Sequence, residues 1–353
     1  MVRIGNWQRV KHGRRLWAGA LGGISAVTLA VGLAGTVVPA AQAGTVFYEV
    51  AFQTNTGALA TDGVQNHGAW SGLNAIRPGT SPSLTFNQGN TLLPAPSGFE
   101  AAYQDTIGQL DTFGPDGFQI WATDVAPGTS PSVSGYGDGG VELAYQNTAG
   151  DVITLGGLDG ERNWGPARPG TSPSVTTFGL DEIYEVAFQN AAGNLVTAGT
   201  DDDHGAWALG MMAGTSPAIT QLTDGGYQVA FQANTGSLWT VHSGASGGRN
   251  LALGMMAGTN PAITLQPNGS YEIAFQANTG SLWIVSSDGV GHNQNLGMKS
   301  GTSPAITVGP SGSQFEIAFQ ANTGQVWTVG EDNHNAWNSD NTTAAGTSPS
   351  IAN

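Results

Sequence analysis

"AFQANTGSLW" occupies residues 230–239, the same ten letters return at 274–283, and "AFQANTGQVW" follows at 318–327. The phrase belongs to a longer repeated unit. Its Ala-[Phe/Tyr]-Gln element begins at Ala51, Ala102, Ala144, Ala187, Ala230, Ala274 and Ala318, at intervals of 51, 42, 43, 43, 44 and 44 residues. A second element, Gly-Thr-[Ser/Asn]-Pro, begins at Gly79, Gly128, Gly170, Gly214, Gly258, Gly301 and Gly346. Two independent markers give the same count of seven. Repeats of this length with strand patterning are the signature of propeller blades.

Residues 215–258 show the strands of one unit. "PAITQL" is a short β-rich run ended by "TDGG". In "YQVAFQ", Tyr227, Val229 and Phe231 alternate with Gln228, Ala230 and Gln232, so the two sets face opposite sides of a strand. "ANTG" is a hairpin turn whose Gly236 is free to take a left-handed conformation. "SLWTVH" is the third strand and "LALGMM" the fourth. Gly, Thr, Asn and Pro recur too often for a long helical period.

The sequence ends at "GTSPSIAN", the opening of a unit, whereas the repeats begin at "TVFYEVAFQ", a second strand. The Ser350–Ala352 strand is therefore expected to pair with Tyr48–Gln53 and complete one blade from both ends. Such a clasp leaves no open sheet edge. The expectation is an all-β, seven-bladed propeller of four-stranded antiparallel blades over residues 44–353.

Residues 1–43 read separately. Arg3, Arg9, Lys11, Arg14 and Arg15 form a basic head, followed by an apolar run to about Val38, then Pro39 and "AQA". This is the layout of a secretory signal peptide cleaved after Ala43, which implies a secreted protein. The Arg14–Arg15 pair is also one element of a twin-arginine signal.

Beyond residue 43 the chain holds five Lys/Arg against 25 Asp/Glu, a formal charge of −20. Nucleic-acid binding needs clustered basic residues, so that class is excluded. The same charge disfavours anionic membranes once the signal is removed. With no Cys there is neither a disulfide framework nor a thiolate nucleophile. Asp201–Asp203 lacks the spaced ligands of a calcium loop, so no metal or other cofactor is expected. No His pair with metalloprotease spacing and no nucleophile elbow is found, which makes the chain a poor enzyme candidate.

Two roles are open for the faithful repeat. As scaffold, the Thr and Ser hydroxyls cap strand ends, the seven Gln side chains satisfy turn backbone, and Trp239, Trp283 and Trp327 fill gaps between blades. As function, the same groups form seven identical sugar pockets. We favour the scaffold, since every repeat of a stacked architecture needs the same joints.

The less faithful element precedes the fourth strand: "QNHGAW" at 65–70, "GERNW" at 160–164, "DDHGAW" at 202–207, "GGRNL" at 247–251, "GHNQNL" at 291–296 and "DNHNAW" at 332–337. A flat indole takes the apolar face of a pyranose while His, Asn or Arg bond its hydroxyls. The candidate ligand-binding residues are therefore His67, Trp70, Arg162, Asn163, Trp164, His204, Trp207, Arg249, Asn250, His292, His334 and Trp337. Plain hairpin chemistry, with Trp wedged between blades, accounts for the same words.

Seven short repeats with "GTSP", "AFQ" and Trp-bearing turns resemble the secreted lectin propellers, the seven-bladed bacterial fucose-binding lectins and the tectonin/tachylectin-type propellers. The resemblance covers residues 44–353. It implies several equivalent carbohydrate sites at or between blades, no catalysis and no cofactor. Fucose-binding propellers place an Arg and an acid in each site, whereas the only Arg residues beyond residue 43 are Arg77, Arg162, Arg168 and Arg249. The expected function is multivalent binding of neutral sugars on cell surfaces or polysaccharides. The alternatives are a platform for a secreted or surface protein, docking at 87–98 or the ring face, and a polysaccharide hydrolase or lyase.

Overall fold

The computed structural model describes residues 48–63, 75–87, 98–157, 160–179, 183–200, 205–309, 312, 314–331 and 337–353, with the backbone alone for 337–341. They belong to one unit, Gly44–Asn353, built of seven antiparallel sheets. Blades are numbered here by their innermost strands. These are Ser350–Ala352 in blade one, Ser83–Asn87 in two, Ser132–Gly135 in three and Ser174–Phe178 in four. Ala218–Gln221, Ala262–Leu265 and Ala305–Val308 follow in blades five, six and seven. Each innermost strand lies beside the next, and blade one returns to blade two, closing the ring. Blades two to seven have four strands each. Blade one has three described strands, and its expected fourth falls in 64–74, outside the described residues.

The clasp forms as expected: Glu49 pairs with Ala352, Val50 with Ile351 and Ala51 with Ser350. Ile351 is buried with Val50, Phe52 and Val326, so the last strand is held by packing as well as by backbone bonds.

Blade stacking explains the words of the repeat. Every residue of Tyr227–Gln232 is buried, because one face of the strand meets the preceding blade and the other the following one. Phe231 packs with Ala187 and Leu195 of blade four, whereas Ala230 and Leu238 receive Ile273 and Phe275 of blade six. The Phe is thus a knob and the Ala its socket one blade away. A larger residue at the socket would overfill a close-packed joint.

The Gln that ends the phrase caps the link to the next blade. Gln53 Nε2 donates to the carbonyls of Ile76 and Arg77, and Gln189 Nε2 to those of Met211 and Met212. The link Thr closes its own turn; Thr215 Oγ1, for example, donates to the Met212 carbonyl at 2.8 Å. Each link then joins the next through one hydrogen bond. The backbone N–H of Ser81 donates to Ser130 Oγ, Ser130 to Ser172, Ser172 to Ser216, Ser216 to Asn260, Asn260 to Ser303, Ser303 to Ser348, and Ser348 back to Ser81. All seven are 2.7–2.9 Å long.

A second ring is acidic. Glu100, Glu142, Glu185, Glu272 and Glu316 sit opposite an innermost-strand residue at one shared register, and blade five has Gln228 there. Burial pushes the Glu100 carboxyl above its ordinary value, against the pull of hydrogen bonds from Thr112 and Asn87. Burial raises Glu272 as well, against bonds from Ser286.

Two predictions follow from clasp and ring. Ile351→Ala should cost about 3 kcal/mol of stability, read as a lower guanidinium midpoint with an unchanged slope. A raised carboxyl binds its proton more tightly folded than unfolded, so its stabilising contribution is present at low pH and lost as pH rises through the folded pKa. Thermal melts should therefore rise as pH falls into the carboxylate range. Glu100→Gln, which copies Gln228, should raise the melting temperature at pH 7 and flatten this dependence.

Candidate functional site

The fourth strand of most blades is broken by a bulge, which sets where its side chains stand. In blade five, Ser237 faces Gly254 and Trp239 faces Asn250, so extra residues are looped out between them. Ala252 in that loop has φ +57°, Asn295 of blade six +56° and Gly165 of blade three +91°. The Asn two residues earlier explains why the left-handed residue is held. Asn163, Asn250 and Asn293 each accept, through Oδ1, the N–H of that residue at 2.8 Å. Asn163 also donates to Asp151 at 2.9 Å. These amides are committed to turn chemistry.

The other expected residues fall into three groups. Trp164 and Trp207 are half-buried wedges whose indole N–H donates to Thr154 and Thr197 of their own blades. Those hydroxyls also bond Tyr184 and Tyr227 of the next blades, so each Trp closes a bridge across a blade interface. Trp121 makes the equivalent bond to Thr112 in blade two, where the sequence differs most. Arg162, Arg249 and His292 are exposed, and Arg249 donates to the carbonyls of Ser287 and Asp288 in blade six. His67, Trp70, His204 and His334 lie outside the described residues, as does the side chain of Trp337.

Backbone register separates two words that look alike. In blade seven Trp337 faces Thr328, the position that Gly205 holds opposite Thr197 in blade four. Trp207 stands two residues further along, inside the bulge. "HNAW" and "HGAW" are therefore out of step.

A different group of side chains encloses space. Between blades five and six lies a cavity of about 120 Å³, lined by Leu253 and Gly254 on one side and by Asn278, Thr279 and Trp283 on the other, over Phe275. Asn278 and Thr279 are exposed at its lip. The Trp283 ring tilts 41° to Phe275 at 6.4 Å, and its buried Nε1 meets no acceptor. The amide of Asn278 lies directly over Gly254: a Cβ there would stand 2.5 Å from Asn278 Nδ2, so a larger residue would push the amide aside.

The same joint recurs at two neighbouring interfaces. A Cβ on Gly210 would meet Asn234, and one on Gly297 would meet Asn322. Trp239 and Trp327 likewise carry buried indole N–H groups without partners. In blades one to four the register of these Trp residues is held by Ala60, Asp111, Ile153 and Val196. Three successive interfaces thus share one design. An indole, an amide and a hydroxyl around an apolar floor suit a neutral ring bearing hydroxyls. At 120 Å³ the cavity is below the roughly 300–1,000 Å³ of a whole-ligand pocket, so it accepts one edge or substituent of a larger molecule.

These residues belong to the phrase taken above as scaffold. The signal present in the sequence was the joint occurrence of Asn-Thr and Trp in repeats five, six and seven alone. Among the described residues, no group of three His, Asp or Glu is placed to hold a metal ion.

No protein-family model and no curated protein matches the chain. Solved structures do resemble it. A point mutant of Aleuria aurantia lectin in complex with Fucα1-6GlcNAc superposes with a TM-score of 0.50 at 16% identity, covering 67% of this chain and 87% of that one. AofleA from Arthrobotrys oligospora gives 0.52 at 12% identity, covering 77% and 89%. Streptogramin B lyase gives 0.51 at 14%, covering 75% and 84%. At such identities the likeness establishes the propeller fold.

Ala252→Gly should relieve the left-handed alanine and stabilise the protein by about 1 kcal/mol, measured by chemical denaturation. Asn250→Ala should have the opposite sign.

Proposed function

We propose that this chain is a secreted, non-catalytic carbohydrate-binding protein, with its sugar sites at the three interblade joints beside Trp239, Trp283 and Trp327. The observation that carries this is the cavity beside Trp283, where Asn278 and Thr279 stand at the lip of an apolar floor. Support comes from the similar fold of a fucose-specific lectin from Aleuria aurantia, a mutant of which was solved in complex with Fucα1-6GlcNAc. The cavity lining contains neither Arg nor a carboxylate, which favours a neutral saccharide gripped by stacking and amide bonds. Each grip is weak. Three on one rigid disc gain from effective concentration when they meet a polymer or a crowded glycan surface. The export signal read at 1–43 would place the protein where such glycans are.

The test is a broad glycan array with the protein of residues 44–353, followed by calorimetry on the best neutral glycan. Saturable binding should show a stoichiometry near three sites per chain. Trp283→Ala should remove one of these, about a third of the sites, without lowering cooperativity of unfolding. Folded protein that labels no glycan overturns the proposal. Turnover of a polysaccharide would favour the hydrolase or lyase alternative. A single stoichiometric protein captured from culture medium, insensitive to sugars, would favour the interaction platform.

A further inference from the structure

The central channel has two mouths with different chemistry. On the link face it is a cone of Pro and Ser residues whose hydroxyls serve the ring of interblade bonds. At the opposite mouth lies a cavity of about 410 Å³, within the roughly 300–1,000 Å³ range of small-molecule sites. None of its lining residues is charged.

Around this mouth the polar groups are used unevenly. On the side of blades two to five they stitch neighbouring strands together. Thr85 accepts the N–H of Gly135, Thr177 donates to the Gly135 carbonyl at 2.6 Å, and Thr176 accepts the N–H of Gln221. On the side of blades five and six they are left available. Among the described residues, the hydroxyls of Thr220 and Thr223 make no hydrogen bond within the protein. Thr264 reaches only its neighbour's carbonyl, at 3.5 Å. Gln266 lines the same cavity, is 3% exposed, and its amide nitrogen meets no acceptor. A buried amide donor without a partner is costly, and a ligand oxygen supplies what it lacks.

We infer that this mouth binds a small neutral polyol or free sugar, seated on Thr220, Thr264 and Gln266. The hydroxyls both donate and accept, as a polyol does, while the amide nitrogen asks for an oxygen. The absence of any cation among the lining residues and the acidic chain as a whole disfavour an anion. The site lies on the face away from the cavity beside Trp283 and does not depend on it.

The test is a titration of ¹⁵N-labelled protein with sorbitol and, separately, methyl α-glucoside. The side-chain amide pair of Gln266 should shift saturably with at least one of them, at millimolar concentration. Gln266→Leu and Thr264→Val should each weaken binding about tenfold, the loss of one good hydrogen bond. Trp283→Ala should leave it unchanged. If Gln266→Leu fails to fold, Thr264→Val decides alone, since it removes a hydroxyl and keeps the shape. Shifts that grow linearly without saturation overturn the proposal. So does wild-type binding by the folded variants, or loss of binding in Trp283→Ala.

Discussion

Seven hydrogen bonds, each from the N–H of one blade link to the side-chain oxygen of the next, run without a break around the molecule. A blade alone is a small sheet with both faces apolar, and it cannot bury them by itself. The circle of Ser (and one Asn) fixes how far each blade turns relative to its neighbour. The knobs of Phe231, Phe275 and Phe319 then meet the sockets provided by Ala187, Ala230 and Ala274. Angle and packing support one another: a link of different length would set the knob beside its socket.

That constraint also locates whatever the protein can recognise. Once the first two strands are fixed by both neighbours, free variation is left to the third and fourth strands, the turns and the channel mouths. The Trp residues show two ways of using the freedom. In blades two, three and four the indole stands on the outer strand and its N–H is taken by a Thr of its own blade. In blades five, six and seven it stands on the third strand, its N–H has no acceptor, and Asn-Thr lies beside it. One side chain serves as a wedge on one side of the disc, and on the other keeps a free indole N–H and, at Trp283, walls a cavity.

The fold was legible because its causes are local and repeated. Alternation in "YQVAFQ", the glycine at the hairpin turn and the two half-blades at the ends each point to one architecture, and the second and third strands fall where they were expected. The fourth starts two residues early, at Arg249 rather than Leu251, so the words read as preceding it lie on the strand itself. The candidate site was less legible. "ERNW" and "GRNL" look like recognition words, but the Asn in each holds a left-handed residue in a bulge. "HNAW" and "HGAW" differ in register, which depends on how many residues the bulge loops out rather than on the letters. A cavity formed by Leu253 of one repeat and Trp283 of the next could not be read from either repeat alone. Nor could the uneven use of hydroxyls around the channel, since Thr85, Thr176, Thr220 and Thr264 look interchangeable in sequence.

The clasp of blade one has a mechanical consequence. Its two strands run antiparallel, with Glu49 beside Ala352, so the chain leaves the pair in both directions from the same end. Force applied between the two ends of the chain would load one pair at a time, from Glu49–Ala352 inward, rather than shear all three together. The closed ring would thus yield to tension at its seam like a zipper. Tethering by one end alone avoids that load path, because no force then crosses the seam.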